Sequence, residues 1–160
     1  MLYLIYMRAN NSHSISYNKS YNGKRNYSNE IVINIPKINL KLPVIKALND
    51  FSNLDNNLVY YNEFNPLNKI IIFGHSGVGY GAFFNRIDEL VQGNEISIYN
   101  KDKRYLYSVY DTEVVDKTSV YLLKDEINSK KLLLITCDKN NKNKRLIVYL
   151  LLNTIKSIEK

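Results

Sequence analysis

Cysteine occurs once in these 160 residues, at position 137. A single cysteine excludes an internal disulfide framework and any metal site built on a cysteine cluster. No apolar run approaches the roughly 20 residues a helix needs to cross a bilayer. The apolar opening, Met1 to Met7, stops at Arg8 and lacks the charged start and small-residue cleavage site of a signal peptide. Bases outnumber acids, 22 to 15, for a net charge of +7, but the lysines are scattered and form no basic helix or stripe. The charge therefore names no nucleic-acid partner. The tyrosines are equally dispersed, where a stacking platform would need them clustered on one face. Gly77-Val-Gly79-Tyr-Gly81 fits neither the dinucleotide fingerprint nor the phosphate-binding loop with its lysine. No internal repeat is visible.

What remains is a chain of 45% hydrophobic residues, enough for one proper core and too short for two comfortable domains. Residues 1–29 read as an extension. Met1 to Met7 is either the outer end of a membrane anchor or an unstructured start, and residues 8–29 are Asn, Ser, Lys and Tyr with no apolar period. His13 falls there and carries no expected role. The folded domain spans residues 30–160.

From Glu30 on, the pattern is that of short strands. Ile31, Ile33 and Ile35 alternate before Pro36, and Leu40, Leu42 and Val44 alternate after it, which predicts two strands joined by a proline-containing corner. Residues 50–57 predict a helical or turn segment. Residues 69–73 predict a buried strand that delivers His75 to a glycine-rich loop. Phe83, Phe84, Ile87, Leu90 and Val91 predict one face of a short helix ending near Gly93. Further strands or strand ends are expected at residues 95–99, 104–115, 121–123, 132–137 and 146–152, with residues 138–144 as a polar hairpin loop. Roughly eight short strands with one or two short helices imply a mainly β, closed barrel, because so many strands left open would expose vulnerable edges.

The chemistry concentrates at the end of one predicted strand. Leu132-Leu-Leu-Ile-Thr-Cys137 ends on the lone cysteine, and eight positions later Arg145 opens the next apolar run. A buried cysteine is usually inert, but an arginine on the adjoining strand sets a permanent positive charge and a planar donor beside a potential thiolate. His75, between an apolar strand and a glycine-rich loop, supplies a group able to move protons near neutral pH.

Gly74-His75, then Leu133-Leu-Ile-Thr136-Cys137, then Arg145 resembles the sortases, cysteine transpeptidases that attach proteins to the Gram-positive cell wall. The family hallmark is Thr-Leu-x-Thr-Cys at a strand end, with Gly-His or Ala-His upstream and an arginine opening the last strand. Ile35-Pro36-Lys37-Ile38 with Leu42-Pro43-Val44 looks like the family's opening strand pair, and Gly93-Asn94-Glu95-Ile96 like the strand after the histidine. The resemblance covers residues 30–152. It departs at Leu133, where the hallmark has threonine, which alters packing but removes no catalytic group. The 62 positions from His75 to Cys137 (137 − 75) leave no room for the long helix of class B, and the extension lacks the Asp-Pro-aromatic lid of class C, so class A, D or a related group is favoured.

The resemblance implies an eight-stranded sortase-type β-barrel with His75, Cys137 and Arg145 as catalytic residues. It also implies cleavage of a Leu-Pro-x-Thr-Gly-like sorting signal between Thr and Gly through a thioacyl intermediate, and transfer to a cell-wall or other amine acceptor. Its partners would be surface proteins bearing that signal, at the outer face of the membrane of a Gram-positive cell. The hallmark segment, with Leu133, Ile135 and Thr136, is assigned to peptide binding. Strand alternation puts Leu133 and Ile135 on the face of Cys137, as the groove floor, and turns Thr136 and Asp138 to the other. No cofactor is implied; calcium stimulates some relatives, but no convincing acidic cluster is present. The alternatives are an L,D-transpeptidase-like wall enzyme, disfavoured by the missing Ser-His-Gly-Cys motif, and a non-enzymatic β-barrel binding module.

Overall fold

The structure, a computed structural model, describes residues 30–158. The reading of residues 1–29 as an extension, with Met1 to Met7 as the outer end of a membrane anchor or an unstructured start, lies outside the described residues. Among the described residues there are eight strands: β1 (Ile31–Ile35), β2 (Leu40–Lys46), β3 (Leu58–Tyr61), β4 (Ile70–Phe73), β5 (Glu95–Asn100), β6 (Lys103–Asp116), β7 (Lys131–Cys137) and β8 (Lys144–Ser157). They close in the order β1-β2-β3-β4-β7-β8-β6-β5. Closure removes the unpaired edges that eight open strands would leave, as the count of strands implies. Two neighbouring pairs, β2 with β3 and β4 with β7, run parallel, and the others are antiparallel.

The first corner is built as its sequence dictates. Pro36 opens a single 3-10 turn over Pro36–Ile38, where its fixed φ suits a first helical position. Asn39 ends the turn at φ 53°, a left-handed conformation that asparagine tolerates, and its N–H donates to the Pro36 carbonyl.

Alternation along the strands sorts the apolar residues into two bodies. Ile70 and Ile72 of β4, Leu132 and Leu134 of β7, and Val148 and Leu150 of β8 pack inside the barrel with Phe84, Ile87 and Tyr107. The intervening residues, Ile71 and Phe73, Leu133 and Ile135, and Ile147, form a second cluster on the outer face with Val59 and Val115. Phe51 and Leu54, from the segment carrying the 3-10 turn Ser52–Asn56, and Leu122, from the 3-10 turn Val120–Leu123, complete that cluster. Strands β4 and β7 are therefore buried on both faces, which is why their sequences are continuous apolar runs and not alternations.

Two expectations are corrected. Residues 83–91 form turns with one short 3-10 segment, Ile87–Glu89, in place of a helix. Phe84, Ile87 and Leu90 are buried at intervals of three, the 3-10 period, while Val91 is exposed. Residues 121–123, expected as a strand or strand end, belong to the 3-10 turn Val120–Leu123, whose Leu122 points into the outer cluster. The short strand β3 was not distinguished from its asparagine-rich flanks, and β8 runs past residue 152 because it pairs along nearly the whole of β6.

The segment between β6 and β7 is tied to the β3–β4 turn through Lys69. Its side chain is only 4% exposed, and Nζ donates to the Leu122 carbonyl (2.8 Å) and to Glu126 Oε1 (3.3 Å). Lys69 N–H donates to the Glu126 carbonyl and Lys130 N–H to that of Leu67, while Asn62 Nδ2 donates to Asp125. Lys131 also contacts Glu126, and chiefly through this hydrogen bond it holds the Glu126 carboxyl below its ordinary value. Lys69→Met would keep the stem and strip the buried Leu122 carbonyl of this donor, a change worth about 1–3 kcal/mol. Hydrogen exchange should then accelerate at residues 122–128 while β4 and β7 stay protected; unchanged exchange in that segment would contradict the clamp.

Candidate active site

Three polar residues lie at one end of the strands β4, β7 and β8. Cys137 ends β7 and stands directly opposite Arg145 in the antiparallel β7–β8 ladder, a Cα separation of roughly 4.5–5.5 Å. Arg145 in turn opposes Val115 of β6. His75 comes from the other side. The parallel β4–β7 ladder pairs Phe73 with Ile135, an offset of 62 (135 − 73), and His75 to Cys137 is the same interval (137 − 75). Continuing β4 by two residues therefore sets His75 level with Cys137. Two hydrogen bonds carry the alignment past the ladder: Gly74 N–H to the Ile135 carbonyl at 3.2 Å, and Ser76 Oγ to the Cys137 carbonyl at 2.9 Å.

The same alternation decides which way each side chain turns. His75 follows Ile71 and Phe73, Cys137 follows Leu133 and Ile135, and Arg145 precedes Ile147, all on the outer face. The second apolar cluster is thus the foundation of the site. Leu133 and Ile135, 2% and 0% exposed, lie beneath this surface and do not present themselves to it. Thr136 is not brought together with them. It is buried on the barrel side of β7, as alternation requires.

Burial distinguishes the three polar groups. His75 and Arg145 are covered, at 1% and 0% exposure, while Cys137 is partly open. The guanidinium of Arg145 is held to the β7–β8 turn, with Nη1 donating to the carbonyls of Lys142 (3.0 Å) and Lys144 (2.9 Å). His75 is held by its backbone, whose carbonyl accepts from Phe84 N–H, and by its ring, whose Nε2 lies 3.4 Å from Asp55 Oδ1. Gly74 makes this packing possible. A Cβ there would come within 2.6 Å of the Phe84 ring and 2.7 Å of Leu58, so a larger residue would displace the strand end that carries His75.

Burial pushes the Cys137 thiol above its ordinary value, and the positive charge of Arg145 pulls it back only in part. The adjoining charge is present as the sequence implied, but desolvation outweighs it, and the resting cysteine is a protonated thiol at neutral pH. Two groups near the site were not singled out from the sequence. Ser76 adjoins His75 and could have been found by adjacency. Asp55 lies 20 residues upstream in a turn segment, and no local spacing connects it to the histidine.

Residues 33–153 match the family model for the sortase domain. Sortase D of Bacillus subtilis (strain 168) is 26% identical over 125 residues, covering 74% of this chain; the chain spans 61% of the length of that relative. Among solved structures, sortase A of Listeria monocytogenes superposes with a TM-score of 0.73 at 23% identity, covering 83% of this chain and 92% of that one. A Clostridium perfringens sortase D5 transpeptidase superposes with a TM-score of 0.68 at 24% identity, covering 79% of each. The chain belongs to the sortase family.

Alkylation should report the state of the thiol. The rate of modification of Cys137 by iodoacetamide should rise with pH and reach half its maximum above the free-cysteine value of about 8.5. Arg145→Met removes the charge that favours thiolate and should slow the reaction at any fixed pH below that midpoint. A midpoint well under 8.5 would show that charge, and not burial, governs the sulfur.

Proposed function

We propose that this chain is a cysteine transpeptidase that cleaves a Leu-Pro-x-Thr-Gly-like sorting signal between Thr and Gly and transfers the acyl portion to an amine of the cell wall. The observation that carries the reading is the shared level of His75, just past β4, with Cys137 and Arg145 on β7 and β8, on the one outer face with an apolar foundation. Cys137 attacks as thiolate, its Sγ bonding to the threonine carbonyl carbon. The tetrahedral intermediate collapses as the C–N bond breaks, and His75 as imidazolium gives its proton to the departing glycine amine. The incoming amine then adds to the thioester, His75 takes its proton, and Cys137 leaves as thiolate. Arg145, its guanidinium anchored by loop carbonyls, orients the peptide and stabilises the oxyanion. No cofactor enters these steps.

The raised thiol value means that thiolate and imidazolium coexist in a minor fraction of molecules, so turnover is slow. The apolar part of the signal rests over Leu133 and Ile135 through the residues that cover them. Class A or D is the reading for the subgroup, supported by the short segment 117–130, which holds a 3-10 turn where class B carries a long helix. The partners are signal-bearing surface proteins, and the site of action is the outer face of a Gram-positive membrane. Among the described residues no helix is long and apolar enough to cross a membrane.

The test is transfer. With a panel of sorting-signal peptides and small amine acceptors, wild-type protein should yield the amide product. Cys137→Ala should yield none while keeping its fold. His75→Ala and Arg145→Ala should each lower kcat/KM by at least about a hundredfold. Arg145→Lys should recover little, since lysine lacks the planar fork. Undiminished transfer by Cys137→Ala would defeat the reading.

A further inference from the structure

We propose that Asp55 is a positioning residue for His75, making the site a Cys–His–Asp arrangement in which the carboxylate sets the tautomer of the imidazole. The inference rests on the transpeptidase reading for its consequence in turnover, but its structural content stands apart from any substrate. Asp55 Oδ1 lies 3.4 Å from Nε2 of a histidine that is itself 1% exposed. A carboxylate accepts from an N–H, so this contact favours the proton on Nε2 and leaves the lone pair on Nδ1, which is shielded from solvent. A base whose lone pair is fixed on one nitrogen spends no time in the wrong tautomer, which is what an aspartate supplies to histidine in hydrolase triads.

The position of Asp55 is fixed from two sides. Its neighbours Phe51 and Leu54 are driven into the outer apolar cluster, and Phe51 meets Phe73 of β4 edge-on at 5.5 Å. The segment that presents the carboxylate is thereby packed on the strand that presents the histidine. From above, Gly81 presses on it. Gly81 sits at φ 92°, and a Cβ there would lie 2.2 Å from the Asp55 carbonyl oxygen, so only glycine lets the loop after His75 close over this turn. The last glycine of the stretch that fits no phosphate-binding pattern, Gly81, thus has a packing purpose: it seats against the backbone of Asp55. The Asp55 side chain is 45% exposed, so solvent weakens its pull. Its effect falls on orientation and tautomer more than on charge.

The test uses the whole chain with His13→Gln, so that His75 is the one histidine, labelled with ¹⁵N in the ring. In the neutral form, the ring nitrogen shifts should report the Nε2–H tautomer. Asp55→Ala should shift the ring toward a tautomer mixture and lower kcat by about tenfold, less than loss of the histidine itself, with KM unchanged because the aspartate does not touch the peptide. Asp55→Asn retains an acceptor oxygen and should keep the Nε2–H tautomer. An Asp55→Ala spectrum identical to wild type would overturn the proposal, as would an altered tautomer with kcat unchanged. Should no peptide or amine be turned over by the parent protein, the transpeptidase reading fails while the tautomer comparison still decides the role of Asp55.

Discussion

In a pair of parallel strands, the neighbour of each residue is set by register, and register is held wherever both faces are buried, because a slip of one residue would invert every side chain. Strands β4 and β7 are such a pair. Ile70 and Ile72 cannot exchange places with Ile71 and Phe73 without disrupting two apolar clusters at once. This constraint, meant for packing, also aligns the candidate site. It sets His75 level with Cys137 although 62 positions separate them, and the antiparallel β7–β8 ladder then adds Arg145 directly opposite Cys137. Three groups from distant parts of the chain are located by the hydrophobic pattern of three strands.

The same burial has a cost at the reacting atoms. Enclosing His75 and Arg145 fixes their geometry, but the low polarity around Cys137 holds its thiol protonated against the pull of the arginine. On the proposed reading, activation of the sulfur is a matter of coupling to His75 and to a bound peptide, because burial outweighs the arginine in the resting protein. The loop carbonyls of Lys142 and Lys144 that hold the guanidinium keep it from turning freely, and the Lys69 clamp holds the 117–130 segment that contributes Leu122 to the foundation. Stability of the outer cluster and alignment of the site are thus one property of the fold.

How far this was legible in the sequence depends on the kind of signal. Continuous apolar runs ending on His75 and Cys137 marked β4 and β7, and the arginine at the head of a run marked β8, so the strands of the site and the closed barrel followed from local pattern. Residues 83–91 were misread because Phe84, Ile87 and Leu90 satisfy a spacing that both a 3-10 turn and an α-helix share over so short a span. Leu133 and Ile135 were placed on the correct face, but alternation cannot say what lies on top of them; that cover comes from Phe51, Leu54 and Leu122, far away in the chain. Thr136 carried a motif position whose side chain faces the barrel interior. Asp55 left no trace, since a contact between a turn and a strand end has no periodicity to betray it.

The most direct test of the catalytic arrangement is capture of the acyl enzyme. The protein is mixed with a sorting-signal peptide without amine acceptor, quenched in acid, and weighed intact before proteolytic mapping. The expected result is a mass increase equal to the peptide up to its threonine acyl group, located on Cys137, released by hydroxylamine and absent from Cys137→Ala. Peptide cleavage that proceeds with no adduct on Cys137, or with the adduct on another residue, would contradict the assignment of the nucleophile and with it the function read from these three strands.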